Sequence, residues 1–338
     1  MSITNYTKIG HMMLFSANIM STFSRFPYYF WNRNKFKKVV VKMQQIQRVL
    51  GMEEESYTIK NLVICSVFLC YAALYIYIDL ILNDYKSITR KLAQYINLIM
   101  ELYECLLIYK VISEMYKQYH FINNKMGSDI GFLAIGKLLP ISKMKAKNKN
   151  IKKIKLQERD NFLNRLTVYS DVHMKISKMG RMANDVFGIP ILYTLGIRFM
   201  LIIMYGHLLS YPIAVGIKII LIIILIILCY VHIIYLIYWW VRTADEGKLT
   251  LSYIHKIWNS LASNDEVDVR VNHLQLITVQ LSNSRPEFTA FDLFQIDWPA
   301  VLMLTGAAST YVVILIQFEM AAAAKGLNIT LAPDESIL

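Results

Sequence analysis

Residues 310–318 read TYVVILIQF. They close an apolar run that begins after Pro299. A long run without charge suits a membrane-spanning helix, because a bilayer core takes about 20 apolar residues to cross. Five aliphatic positions, Val312 to Ile316, separate Thr310 and Tyr311 from Gln317, and Glu319 follows Phe318 at once. An amide at that depth needs a partner, a lumen or a symmetry mate, since an unpaired polar group in lipid is costly.

The rest of the chain fits that solvent. Of 338 residues 56% are hydrophobic, and mean hydropathy is +0.39. Soluble domains hold about 45–50% apolar residues, so the composition is that of a membrane protein. Charged residues, 18% of the chain, cluster between the apolar runs. The net charge of +12 therefore marks cytoplasmic loops. Nucleic acid is excluded as a partner, because no basic-aromatic module accompanies the charge. Cys65, Cys70, Cys105 and Cys229 all lie inside apolar runs and imply no disulfide framework. No cleaved signal peptide is expected, because Met1 to Gly10 is polar and no small-residue cleavage site follows.

Six spans are readable. Residues 6–31 form a weak, aromatic one that Pro27 kinks or ends. A basic amphipathic segment, Asn32 to Leu50, carries Arg33, Lys35, Lys37, Lys38, Lys42 and Arg48 before an acidic turn at Glu53 to Glu55. Residues 58–82 and 89–116 are two spans joined by Asn83 to Ser87, a connection short enough to make them antiparallel. A long polar stretch, 117–165, has a basic core from Lys143 to Lys155. Within it Gly131 and Gly136-Lys137 begin like a phosphate-binding loop, but Leu138 stands where the motif needs Ser or Thr. Spans follow at about 186–210, 213–240 (ending on Trp239-Trp240) and 298–319. Between the last two, Ile254, Ile257, Trp258 and Leu261 recur at helical spacing, as do Val267, Val271, Leu274, Ile277 and Leu281. Both predict amphipathic helices packing on one another outside the membrane.

Lysine and arginine excess sets orientation. It falls on 32–60, 117–185 and 241–256, and spares 83–88 and 206–212. The basic segments are expected inside and the C-terminus outside. Sequons at Asn328 and Asn5 carry little weight.

Thr310-Tyr311, five hydrophobic residues and Gln317-Phe318 resemble the C-terminal signature of the insect gustatory receptors. These are seven-helix ligand-gated cation channels related to the insect odorant receptors. The resemblance continues upstream, in Phe288-Thr289-Ala290, Phe294 and Asp297 before the last helix, and in Asn184 and Phe187-Gly188 at the entry to the fifth. It is strong over 166–319, fair over 32–116 and poor before that. The family's second to seventh helices find counterparts and its first does not, so either the chain is incomplete upstream or it is a shortened member. The resemblance implies an all-α membrane bundle with a cytoplasmic N-terminus and an extracellular C-terminus. In its terms residues 1–240 form the ligand-binding bundle, with a basic loop at 117–185. Residues 241–297 form cytoplasmic anchor helices, 298–320 a pore-lining helix and 321–338 an external tail.

The family's tetramer, lined by the final helix of each subunit, would place Gln317 and Phe318 as rings near the outer mouth and Glu319 beside them. Alternatively, Gln317 caps a helix contact and Glu319 is solvated. Thr310 and Tyr311 are expected to pack against neighbouring helices. The ligand-binding candidates are Tyr75, Asp79, Tyr95, Arg198, Tyr205 and His207, which the topology gathers towards the outer half. Ionisable residues within spans, Asp79, Glu101, Arg198 and Lys218, either serve that pocket or pair internally.

The implied partners are a small-molecule tastant, the bilayer and related receptor subunits in a homo- or heterotetramer. Val312 stands where the sugar-sensing branch commonly carries an acidic residue, which tilts the ligand away from sugars. The sister odorant receptors remain an alternative. A G-protein-coupled receptor is disfavoured because none of the seven prolines follows an asparagine. A transporter is disfavoured by the lack of an internal repeat. Cys229 and His232 share a face, but no zinc spacing appears, and the other histidines (His11, His120, His173, His255, His273) are scattered. No metal, cofactor or enzymatic motif is read.

Overall fold

A computed structural model describes residues 3–52, 58–82, 88–134, 149–209, 216–262, 269–283 and 287–330. The acidic turn at 53–55, the 83–87 connection, the Gly136 to Leu138 part of the loop-like motif and the tail beyond 330 lie outside them. Seven helices follow in order: α1 Ile3–Leu50, α2 Thr58–Leu82, α3 Ile88–Ala134, α4 Lys149–Leu209, α5 Ile217–Ala262, α6 Val269–Asn283 and α7 Trp298–Thr330. Two short strands, β1 Thr289–Ala290 and β2 Phe294–Gln295, form an antiparallel hairpin before α7. Among the described residues three helices, over Asn161–Leu209, Ile217–Asn259 and Trp298–Phe318, each include a stretch apolar enough to cross a membrane, and α2 contributes a shorter apolar helix, Cys65–Ile78. The chain is an all-α membrane bundle.

The helices outrun the bilayer. At 1.5 Å per residue the 61 residues of α4 extend roughly 90 Å, three times the hydrocarbon thickness. The polar ends of α3, α4 and α5 therefore continue the bundle into water. This changes two boundaries drawn from the sequence. The polar stretch from 117 is helical to Ala134, as a continuation of α3. The end of the span at Trp239-Trp240 is not a helix end, and α5 runs unbroken from the span into the amphipathic segment. Once a helix is nucleated, each further residue adds one hydrogen bond at little cost, so a change of solvent need not end it. Pro27 and Pro190 also sit inside helices rather than ending them.

α4 is the hub. It packs against α1, α3, α5, α6, α7 and β1. α1 lays Val39, Met43 and Ile46 into the bundle, a spacing of four and three residues, while Arg33, Lys35, Lys37 and Lys38 stay exposed. Phe36 meets Phe187 of α4 edge-on, with ring centroids 6.1 Å apart. The apolar faces predicted beyond the membrane are also present. Ile254 and Ile257 of α5 and Ile277 and Leu281 of α6 are buried, and the two helices pack together. Each such side chain contributes on the order of 1.5–3 kcal/mol on burial.

Candidate functional site

Four charges meet inside the spanning bundle. Arg25 of α1, Glu101 and Glu104 of α3 and Arg198 of α4 are each about 1% exposed. Glu101 and Glu104 share a helix face because they are three residues apart. Arg198 Nη2 donates to Glu101 Oε2. Asn97 Nδ2 donates to the other carboxylate oxygen at 3.3 Å. Arg25 lies between the carboxylates, 3.5 Å from Glu101 and 3.5 Å from Glu104, and donates to Thr194 Oγ1 at 3.3 Å. Two arginines face two glutamates, so the cluster carries no net formal charge. A buried ion is tolerated only when paired in this way.

The sequence anticipated Glu101 and Arg198 and missed Arg25 and Glu104. Of the two uses left open for the charged residues, Glu101 and Arg198 show the internal pair. Lys218 is exposed at the start of α5 and takes no part, and the side chain of Asp79 lies outside the described residues.

Above the charges stands a pair of tyrosines. Tyr75 of α2 and Tyr205 of α4 share a hydrogen bond of 3.0 Å, both buried, and the Arg198 guanidinium lies 6.0 Å from the Tyr75 ring centroid. Tyr95 and His207 are half-buried on α3 and α4. Three of the predicted ligand residues, Tyr75, Arg198 and Tyr205, thus come into one contact network. His232 lies beside it, 3.1 Å from Cys105 Sγ of α3, so its partner comes from another helix and is not Cys229. Among the described residues no three His, Cys, Asp or Glu side chains gather as metal ligands would. A groove of about 400 Å³ exists elsewhere, where Arg242 and Glu246 of α5 face Trp298, and none of the predicted ligand residues lines it.

α7 differs from its neighbours. Only 11% of its most apolar stretch is buried in the chain, against 61% for α4. Val312, Ile316 and Ala308 face the bundle. A methyl group on Gly206 of α4 would lie 2.9 Å from Val312 Cγ2, so the glycine sets how closely the two helices approach. Tyr311 is half exposed but meets Phe199 edge-on at 6.1 Å. Thr310 Oγ1 donates to the Gly306 carbonyl. Gln317 and Phe318 are exposed near the end of α7, and the Glu319 side chain lies outside the described residues.

The two upstream motifs prove to be partners. Asn184 Nδ2 donates to the Glu287 carbonyl at 2.8 Å. Phe288 packs edge-on against the buried Trp240 at 4.6 Å. The hairpin turn passes so close to α4 that a methyl group at Gly188 would lie 2.9 Å from the Phe291 backbone nitrogen. Phe291 and Asp292 take positive φ there, 51° and 56°, and Thr289 Oγ1 donates to Asp292 Oδ1 at 2.9 Å. Asp297 then caps α7, its carboxylate accepting from the Ala300 amide at 3.1 Å. These residues fix where the last helix starts.

A second polar junction lies beyond the spans. Asn123 of α3 donates to the Glu246 carboxylate at 2.6 Å and accepts from Thr250 at 2.7 Å. His173 of α4, N-terminal to the span at about 186–210, is 1% exposed. Its Nε2 lies 3.2 Å from the Gly247 carbonyl, which makes it the protonated nitrogen, and Nδ1 has no hydrogen-bond partner among the described residues. Burial drives its pKa down to about 4, while the Gly247 bond acts weakly the other way.

Comparison with known proteins converges on one group. The profile of the 7tm chemosensory receptors matches residues 1–322. Gustatory receptor 28a of Drosophila melanogaster is 38% identical over 77 residues, 23% of this chain and 16% of that one. The Drosophila gustatory receptor for bitter taste 66a is 28% identical over 164 residues, 45% of this chain and 30% of its own. The aligned parts thus span less than a third of either relative. The fold is similar to the olfactory receptor OR5 of Machilis hrabei, with a TM-score of 0.58 at 9% identity over 94% of this chain and 82% of that one. The chain belongs to the 7tm chemosensory receptor family.

Proposed function

We propose that the chain is a subunit of a taste receptor, a ligand-gated non-selective cation channel of the plasma membrane. A tastant binding in the outer half of the bundle, near Tyr75 and Tyr205, biases a two-state pore through the last helix. The observation that carries this reading is α7. It is apolar enough to span, yet only 11% of that stretch is covered by its own chain. An exposed amide and phenylalanine, Gln317 and Phe318, then need neighbours that a single subunit does not supply. Four α7 helices around one axis, from like or related subunits, would supply them. Taste rather than smell is supported by the two Drosophila gustatory receptors, and Val312 after Thr310-Tyr311 favours a ligand other than sugar.

The first test is sidedness in intact cells, with epitope tags on both termini read before and after permeabilisation. An external C-terminus is expected, and an internal one overturns the reading. Whole-cell recording follows. Gln317→Ala and Phe318→Ala should change the permeability ratio or the resting leak of cation currents.

A further inference from the structure

The four-charge cluster holds unused hydrogen-bonding capacity. Among the described residues, Arg25 Nε and Nη1 and Arg198 Nε are buried donors without a hydrogen bond, and both carboxylate oxygens of Glu104 are buried acceptors without one, Nη1 and Oε2 meeting only as an ion pair at 3.5 Å. Glu101 is held by Arg198 and Asn97, whereas Glu104 faces Arg25 at 3.5 Å and the buried Tyr29 hydroxyl, with no hydrogen bond made to it among the described residues. The Arg25–Glu104 arm is thus the loose one. A group presenting a donor to Glu104 and an acceptor to Arg25 would satisfy both, and unmet buried polar groups are what such a group relieves. Two arginines and two glutamates sum to zero in a medium where an uncompensated charge is costly. An ammonium or carboxylate ligand would leave the cluster charged, and a neutral or zwitterionic one would not. Aromatic walls stand close by, with the Tyr75 ring against Arg198 and its hydroxyl on Tyr205.

We propose that this cluster is the polar end of the ligand site and selects small molecules of no net charge that carry a donor and an acceptor side by side. This rests on the reading that ligands bind within the bundle. The test uses the purified full chain and four probes of similar size at neutral pH: phenylalanine, 3-phenylpropanamide, phenethylamine and 3-phenylpropanoate. In wild type, phenylalanine and the amide should raise the unfolding midpoint, and the two ions should need about tenfold more ligand for the same shift. Arg25→Gln leaves the cluster negative and should turn the preference to phenethylamine. Glu104→Gln leaves it positive and should turn the preference to phenylpropanoate. The double variant Arg25→Gln/Glu104→Gln is again balanced and should again prefer the uncharged probes, which covers the case where a single variant folds poorly. Ions that bind wild type as well as the neutral probes, preferences that do not move with the charge, or no binding by any probe overturn the proposal. Cell recordings separate it from the channel reading. Selectivity that follows the charge without any cation current leaves the site standing and sinks the channel. Currents evoked only by the charged probes do the reverse.

Discussion

α4 and α7 are both spans, and they solve the problem of polar residues in lipid in opposite ways. α4 is the hub of the bundle, with 61% of its most apolar stretch buried, and its arginine is met by a carboxylate of the same chain. α7 is 11% buried and carries its polar groups, Thr310 and Gln317, on an exposed surface. Thr310 bonds back to its own helix, the cheap solution open to a hydroxyl. A glutamine amide is longer and carries more donors and acceptors than that solution serves. The contrast separates a helix that the chain itself surrounds from one that it leaves largely uncovered.

The largest test of that division falls on α4. Arg198→Leu strips Glu101 of its closest partner and leaves a buried carboxylate facing Arg25 at 3.5 Å. The expected loss is about 3–5 kcal/mol of stability, read as a lower unfolding midpoint and poor surface expression. Arg198→Leu/Glu101→Leu should recover much of it, because an apolar pair in place of a buried ion pair is often neutral. A single variant as stable as wild type would mean that the pair does not hold the hub together.

His173 tests the extramembrane part of the same helix. Its folded pKa of about 4 lies below the ordinary value of 6.5, because burial disfavours the cation. Above pH 6.5 both folded and unfolded chains hold it neutral, and it has no effect. Between pH 6.5 and 4 the unfolded chain takes up a proton that the folded chain refuses, so stability falls with pH. The loss should reach about 2–3 kcal/mol near pH 4. Unfolding midpoints followed from pH 7 to 4.5 should drop less steeply in His173→Gln than in wild type. Parallel curves would show that the site is not dry.

A smaller effect tests the seam between the two helices. Gly206→Ala places a methyl group 2.9 Å from Val312 Cγ2, and valine has few rotamers with which to move away. Overpacking of this kind costs about 1–3 kcal/mol. Val312→Ala in the same chain should relieve it, as measured by unfolding midpoint. Failure of that rescue would place the strain elsewhere than in the α4–α7 contact.

The fold was legible where periodicity carries it. The apolar runs became helices, and Ile254, Ile257, Ile277 and Leu281 became buried faces, because burial and helical spacing are both local in sequence. The helix ends beyond the membrane were not legible, since hydropathy marks where lipid stops and not where hydrogen bonding does. The site was half legible. Arg198 and Glu101 stood out against apolar neighbours. Arg25 did not, because residues 6–31 are already polar enough to hide one more charge. One usable signal existed. Glu101 and Glu104 lie one turn apart in a span, and two carboxylates on one buried face require more than one cation. The pairing of Asn184 with Glu287 had no sequence signal at all, because 103 residues separate them and the acceptor is a backbone carbonyl.

The smallest expected effect on stability is the sharpest test of α7. Gln317 is exposed in the single chain, so Gln317→Ala should change the unfolding midpoint of a detergent-isolated subunit by no more than about 0.5 kcal/mol, as for other surface positions. The same substitution in a membrane should be felt strongly if four such amides ring a lumen, because the hydrogen bonds offered to a passing cation are then lost together. The measurement pairs the two, unfolding in detergent against the cation permeability ratio in cells. A silent midpoint with altered permeability places Gln317 at the pore. A destabilised subunit with unaltered currents places it in a contact inside the bundle, and α7 would then belong with α4 as a helix that completes its own chain.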